Sequence, residues 1–486
     1  MPTNLQFFLN DKYSFISLIL KSQIECRTLS MKTLFDYIDH EPTKDQVNCL
    51  SRLEQFTLND KKQLFILRGF AGTGKTTCIS ALVKWSNAIG QNTILLAPTG
   101  RAAKVMSNYS EKPAFTIHKF IYRLLDLGEQ GYHFSRKENK LKNTIFIVDE
   151  ASMISGELTA GESNLLDDLV DFVYENLSNQ LILVGDIAQL PPVGTNLSPA
   201  LVPKDMLGRY KLSIDGAELK EVVRQEELSG ILENATLIRK NIEDGVKELP
   251  EFIINNEDVF SINSNEMSDV VQSVMSQYGE DGFIVVTRSN KLANMYNEQL
   301  RKTVLFRENE IDAGDLIMIV RNNYFWLGSD REDFIANGDI VQVDRVTNFE
   351  SIEDFKFAEA SITFINSAED KQIDAVLLLN TLKEASSNLN QEDQKKLFNE
   401  RMSYFYEEFG HKKKALLAVK SDPLYNALQI KFAYSFTCHK SQGGQWPVVF
   451  IDQSFFQEEW LDQDYLRWLY TAVTRATDLV YFVNTP

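Results

Sequence analysis

Apolar residues cluster along the chain in short unbroken runs, separated by longer stretches of mixed polarity. Leu64-Phe65-Ile66-Leu67, Thr93-Ile94-Leu95-Leu96-Ala97, Ile145-Phe146-Ile147-Val148 and Leu181-Ile182-Leu183-Val184 are of this kind. Runs apolar at every position, not at alternate ones, fit strands buried on both faces of a parallel sheet. A second series follows: Phe283-Ile284-Val285-Val286 with a helical stretch around Leu292 to Leu300, then residues 430–436, 448–451 and 479–483. The pattern predicts an α/β chain with two parallel-sheet domains, over residues 41–240 and 241–486. Two segments break the rhythm. Residues 119–142 hold Tyr132, Phe134 and a polar turn at 135–140, which predicts a small hairpin insertion. Residues 341–424 mix β-like pieces (362–365 and 375–379) with a charged helical stretch at 392–408, which predicts a separate insertion in the second domain. Residues 1–40 read as an N-terminal extension, with Met31 as an alternative start.

Composition sharpens this picture in three ways. The 486 residues, 44% of them hydrophobic, can fill several cores. Sixty-eight acidic against 50 basic residues give a net charge of −18, which speaks against a nonspecific nucleic-acid coat. It leaves open a local basic groove on an acidic body, since affinity follows the field at the site. The four cysteines lie far apart without a CxxC pair, so neither a zinc cluster nor a disulfide scaffold is expected. Sparse cysteine fits a reducing compartment. The apolar stretch at residues 15–20 is too short to span a bilayer. The expectation is a cytosolic protein with no membrane association, and a monomer.

The chemistry begins at Gly69-Phe70-Ala71-Gly72-Thr73-Gly74-Lys75-Thr76, which fits GxxxxGK[ST] between a predicted strand and a predicted helix. In such a loop, backbone N–H groups approach phosphates and the helix N-terminus adds its dipole. Lys75 would then reach the β and γ phosphates, and the Thr76 hydroxyl would ligate Mg²⁺. Asp149-Glu150 closes the strand at 145–148. A carboxylate there is placed to hold the magnesium, and Glu150 to serve as base for the attacking water. Gln46, in Thr43-Lys44-Asp45-Gln46 ahead of the loop, offers a side-chain amide that suits the edge of adenine.

Further strings join these in order along the chain: Ala97-Pro98-Thr99-Gly100-Arg101-Ala102-Ala103, Thr116-Ile117-His118, Asp149-Glu150-Ala151-Ser152, and Gly185-Asp186 followed by Gln189-Leu190-Pro191-Pro192-Val193-Gly194. Then come Val222-Val223-Arg224-Gln225, Thr287-Arg288-Ser289-Asn290 with Asn297 and Arg301, Asn337-Gly338-Asp339, Thr437-Cys438-His439-Lys440-Ser441-Gln442-Gly443, and Tyr470-Thr471-Ala472-Val473-Thr474-Arg475-Ala476. From Gln46 to Arg475 the set resembles the superfamily 1B DNA helicases, the RecD-like and Dda-like group. The GDxxQLPPVG string is the most diagnostic.

The resemblance implies two RecA-like P-loop motor domains, the second UvrD-like, with a pin at 119–142 and an SH3-like β insertion at 341–424. It implies ATP and Mg²⁺ as cofactors. Gly69, Ala71, Gly72, Thr73, Gly74, Lys75, Thr76, Thr77, Gln46 and Gly443 would contact nucleotide, and Thr76 and Asp149 the metal. Gln189 would sense the γ-phosphate, and Arg224 and Arg475 would reach it as permanently charged planar donors. Lys75, Asp149 and Glu150 complete the catalytic set. Pro98, Thr99, Arg101, Thr116, His118, Pro191, Pro192, Thr437, His439, Lys440 and Ser441 would meet DNA. Hydroxyls and imidazole bind phosphate without net positive charge, which softens the objection from the acidic balance. Tyr132 or Phe134 would serve as a wedge, with a core aromatic under the hairpin as the alternative.

The implied activity is ATP-driven 5′→3′ movement on single-stranded DNA with unwinding of forked or tailed duplexes, in repair, recombination or replication. Single-stranded-DNA-binding or nuclease proteins are the expected class of protein partner. Alternatives are a nucleotide-dependent clamp or translocase that does not unwind, the helicase subunit of an exonuclease complex, and an RNA-dependent relative. Three decoys fall away. Ser441-Gln442-Gly443-Gly444-Gln445 follows the acidic motif by nearly 300 residues, whereas a transporter-ATPase signature precedes it. Asn290-Lys291-Leu292-Ala293 lacks the Asp that guanine recognition needs, and Glu218-Leu219-Lys220 has no metal-binding Asp at a nuclease spacing.

Overall fold

The four early apolar runs become neighbours in one sheet because each is buried on both faces. A computed structural model describes residues 32–485 except Asp60, 127–131, 157–163, 224–228, 328–333, 366–370, Ala385, Ser387 and Phe455. In the first domain, β1 (Leu64–Gly69), β2 (Asn92–Ala97), β3 (Ala114–Thr116), β6 (Thr144–Val148), β7 (Gln180–Gly185) and β8 (Ile214–Leu219) lie parallel in the order β3-β2-β6-β7-β1-β8. Strands β3 and β8 escape the hydrophobic pattern. The first is three residues long, and the second carries Asp215, Gly216 and Glu218 on a sheet edge. Between β3 and β6, β4 (Tyr122–Asp126) and β5 (Tyr132–Arg136) pair antiparallel as the expected hairpin. The side chains of Tyr132 and Phe134 fall outside the described set, as does Arg224.

The second parallel sheet contains β9 (Val259–Ile262), β10 (Phe283–Thr287), β16 (Ser435–Thr437), β17 (Trp446–Asp452) and β18 (Ala476–Val483), in the order β16-β10-β17-β18-β9. A closed barrel interrupts it, built from β11 (Leu316–Ile319), β12 (Ile340–Ile352), β13 (Phe355–Phe364), β14 (Gln372–Leu378) and β15 (Leu428–Phe432). The helices Gln391–Phe409 and Lys412–Lys420 are inserted between β14 and β15.

Two boundaries differ from expectation. The barrel extends beyond 341–424 on both sides, and the run at 430–436 divides between two sheets. Ala433 N–H bonds the carbonyl of Leu316 in the barrel, and the next carbonyl, Tyr434, accepts from Val285 in the parallel sheet. The helix Gly230–Asp244 also crosses the expected domain border at 240. It buries Ile231, Ala235 and Ile238 in the core of the second domain.

Family-like residues Asn297 and Arg301 prove to be joints of the fold. Asn297 bonds the backbone of Ser435 in both directions, at 2.8 Å each. Arg301 holds the fully buried Asp315 through two bonds of 2.9 and 2.8 Å, and Arg307 joins from the other side at 2.9 Å. Breaking a buried ion pair from one side leaves charge without compensation. Asp315→Ala is therefore expected to destabilise by about 3–5 kcal/mol, read as a large fall in the chemical-denaturation midpoint; a shift near zero would show that the arginines find other partners. Among the described residues no helix is long and apolar enough to cross a membrane.

Candidate functional site

The carboxyl ends of β1, β2, β6 and β7 form one edge of the first sheet, where open α/β sheets bind ligands. The P-loop leaves β1 and enters the helix Lys75–Ala88 at Gly74, which no side chain caps. The first N–H groups of that helix are thus available to an anion. Gly74 has φ 85°, and a Cβ there would lie 2.0 Å from Gln46 Nε2. Only glycine satisfies both demands.

Gln46 is fully buried. Its Oε1 accepts from Thr43 N–H at 3.0 Å, and its Nε2 donates to the Thr73 carbonyl at 3.2 Å. It therefore caps its own helix, Lys44–Thr57, while pinning the P-loop backbone. This is a different use of the amide from reading adenine, although one N–H remains. Within the loop, Lys75 Nζ and the buried Thr73 Oγ1 both donate to the Phe70 carbonyl at 2.8 Å. Thr76 is exposed and Thr77 half-buried. Val223 N–H bonds Gly72 O at 3.0 Å, which brings the chain to the P-loop one residue before Arg224.

Asp149 ends β6 with both carboxylate oxygens engaged. Oδ2 accepts the Tyr109 phenol at 2.7 Å, and Oδ1 accepts Glu150 N–H at 2.8 Å. Burial pushes the Glu150 carboxyl above its usual range, Asp149 and Asp186 add to that, and Arg475 and Lys75 oppose it. Arg475, from the second domain, lies 3.8 Å from Glu150 Oε1. Its guanidinium also donates to Thr471 O at 3.0 Å, Gly444 O at 3.3 Å and Thr474 Oγ1 at 3.2 Å. Gln189 is buried nearby in sequence to Asp186, and its Oε1 has no hydrogen-bond partner in the protein. A buried acceptor left open in this way suits a water or a phosphate-bound proton donor. Among the described residues no group of three or more His, Cys, Asp or Glu is arranged to hold a metal.

The loop after β7 is gripped by the second domain. Tyr470 donates to Asp186 Oδ2 at 2.7 Å and accepts from Ala71 N–H at 2.9 Å. Thr471 Oγ1 accepts Leu190 N–H at 2.8 Å, Gln442 Nε2 donates to Leu190 O at 2.7 Å, and Arg467 bonds the Ile187 carbonyl. Positions 467, 470 and 471 share one face of the helix Gln463–Val473, as a spacing of three and four requires. None of Tyr109, Gln442, Arg467 and Tyr470 was assigned a role from the sequence.

On the expected nucleic-acid face, Thr99 and Thr116 cap helices by accepting N–H bonds from Ala102 and Lys119, at 3.2 Å each. Capping uses an oxygen lone pair and leaves the hydroxyl proton free to donate. His118 lies over Tyr122 with ring centroids 5.6 Å apart. Pro98, Thr437 and Lys440 are half-buried and His439 is exposed. Two expected contacts are turned inward: Ser441 is fully buried with its hydroxyl on Cys438 O at 2.7 Å, and Pro191 is buried beside half-buried Pro192. Arg101 is committed elsewhere. It stacks on Trp446 at 3.5 Å, and burial brings its pKa down to about 9. Gly443, expected at the nucleotide, sits where a Cβ would lie 2.7 Å from Ala102 Cβ and 3.1 Å from Thr99 Oγ1.

Comparison with known proteins finds similarity to two protein families. Residues 46–251 match the family described as AAA domain, and residues 432–483 match the UvrD-like helicase C-terminal domain. The chain is 26% identical to uncharacterized protein R530 of Acanthamoeba polyphaga mimivirus, over 91% of this chain and 99% of that one. It is 34% identical to the ATP-dependent RecD2 DNA helicase of Deinococcus radiodurans over 28% of this chain, and 27% identical to the ATP-dependent DNA helicase dda of Enterobacteria phage T4 over 54%. Those matches span only 17% and 57% of the two helicases. Among solved structures, Pif1 helicase from Candida albicans is similar over 92% of this chain and 95% of its own, with 18% identity and a TM-score of 0.41. An AAA domain and a UvrD-like helicase C-terminal domain matched in succession, with likeness to both RecD2 and Dda, support the resemblance to the superfamily 1B helicases.

Proposed function

We propose that the protein is an ATP-dependent DNA helicase that couples ATP hydrolysis to 5′→3′ movement along single-stranded DNA and to duplex unwinding. The observation that carries this reading is the shared site. Arg475 of the second domain stands 3.8 Å from Glu150, which follows the acidic strand end of the first. The names of RecD2 and Dda, both ATP-dependent DNA helicases, support the substrate class.

The P-loop amides and Lys75 bind and orient the phosphates. Glu150, whose burial raises its proton affinity while Arg475 and Lys75 oppose that rise, takes the proton of the attacking water. Gln189 Oε1 orients that water, and Arg475 bears on the γ-phosphate, where charge spreads in the transition state. The donor set of one strand-end carboxylate, Asp149, and one exposed hydroxyl, Thr76, fits Mg²⁺ shared with phosphate oxygens. Bound there, the ion would neutralise phosphate charge. Because the two domains supply parts of one site, turnover changes their contact, and the Thr99, Thr116 and Thr437 hydroxyls on either side would step along the DNA backbone.

Two labelled partial duplexes test the reading, one with a 5′ single-stranded tail and one with a 3′ tail. ATP-dependent strand release from the 5′-tailed duplex alone is expected. Release from the 3′ tail alone would reverse the polarity. DNA-stimulated ATP hydrolysis without release would favour a translocase or clamp.

A further inference from the structure

We infer that Tyr470 is a positioning residue for hydrolysis: its phenol couples the second motor domain to the P-loop and to the Asp186–Gln189 loop at once. The inference rests on the motor reading above and adds a residue to it. Tyr470 is fully buried on the helix Gln463–Val473, two turns or less from Arg475. Its oxygen accepts the Ala71 N–H at 2.9 Å and gives its own proton to Asp186 Oδ2 at 2.7 Å. Ala71 and Asp186 sit at the ends of β1 and β7, which are adjacent parallel strands. One side chain from the second domain thereby ties together two loops of the first, the P-loop and the loop after β7, which the motor reading assigns to the phosphates.

The link continues by short steps. Asp186 Oδ1 accepts Ala188 N–H at 2.8 Å, next to Gln189. Leu190, on the other side of Gln189, is held by Thr471 and Gln442. The Gln189 side chain is therefore set by a loop held on both sides by contacts from the second domain, at Asp186 and Ile187 before it and at Leu190 after it. The Ala71 N–H, a P-loop amide, is committed to Tyr470 while this contact lasts. Movement of the helix would release that amide and loosen the Gln189 loop together. Burial and Asp186 keep the phenol protonated, so it holds its double role of donor and acceptor at any working pH.

Tyr470→Phe keeps the ring and removes only the oxygen. The measurements are DNA-stimulated ATP hydrolysis, expressed per molecule that binds fluorescent ADP, and the equilibrium affinity for that ADP. Counting only nucleotide-binding molecules removes any misfolded share. We expect kcat to fall about tenfold, the size of one or two lost hydrogen bonds, with ADP affinity changed less than about twofold. Asp186→Asn should also slow hydrolysis, and the double variant should be no slower than the slower single variant, since both break one linkage. Multiplying effects in the double variant, a kcat within twofold of wild type for Tyr470→Phe, or equal losses in kcat and ADP affinity would each overturn the inference. Wild-type protein in the same assay separates the two claims: no DNA-stimulated hydrolysis there would refute the motor reading itself.

Discussion

Lys75→Ala is expected to lower DNA-stimulated ATP hydrolysis by about 10³-fold or more and to abolish unwinding. The lysine stands on the first turn of the helix after the P-loop, with Nζ on the carbonyl of Phe70. That carbonyl is also served by Thr73 Oγ1 and approached by Thr73 N–H, so the loop keeps its internal bonds when the lysine is gone. The substitution should therefore leave the melting temperature nearly unchanged. This separation of activity from stability is what makes the variant informative. Phosphate release measured with and without single-stranded DNA checks it. Persistent DNA-stimulated turnover would mean that the phosphates bind elsewhere.

How far the sequence carried the site depended on how local each task is. A P-loop must show its glycines and lysine at fixed spacing, because the backbone conformation at Gly74 and the crowding by Gln46 exclude other residues there. The acidic strand end is equally local. Tyr470 is the opposite case. Its phenol meets Ala71 across 399 residues, and a tyrosine in an apolar helix looks like any core aromatic until both partners are seen. Tyr109, which bonds Asp149 from 40 residues away, was hidden in the same manner.

The fold shows the same divide. Fully apolar strands announced the two parallel sheets, whereas β8 carries polar residues at a sheet edge and β12 mixes buried and exposed positions through two irregularities in its pairing. The run at 430–436 misled because apolar character does not say which sheet a residue joins. Gln46, Asn297 and Arg301 carry a different lesson. All three sit at family-like positions and all three are used here, at least in part, to hold backbone or a buried carboxylate in place.

Arg475→Ala should leave nucleotide binding largely intact and lower kcat by about 10³-fold, at the low end of what an arginine supplied to a transferring phosphoryl group contributes. The structure adds two consequences that a purely chemical role would not. First, the side chain donates to Gly444 O and shares Thr471 O with the Thr474 hydroxyl in a buried setting, so its removal takes the donor from the Gly444 carbonyl and should cost about 1–3 kcal/mol of stability. Second, Arg475 is the largest influence holding the Glu150 carboxyl down against burial. Without it, Asp149, Asp186 and desolvation act with less opposition, and the Glu150 pKa rises further. A base works only when deprotonated, so the acid limb of the kcat profile should move to higher pH in the variant. Arg475→Lys, which keeps the charge but loses the fork, should restore part of the pH profile while remaining slow. Measuring kcat against pH for the three proteins, with ADP affinity alongside, tests both halves. An unmoved acid limb would mean that Glu150 is not the base, and a loss of affinity as large as the loss in rate would mean that Arg475 acts on the ground state.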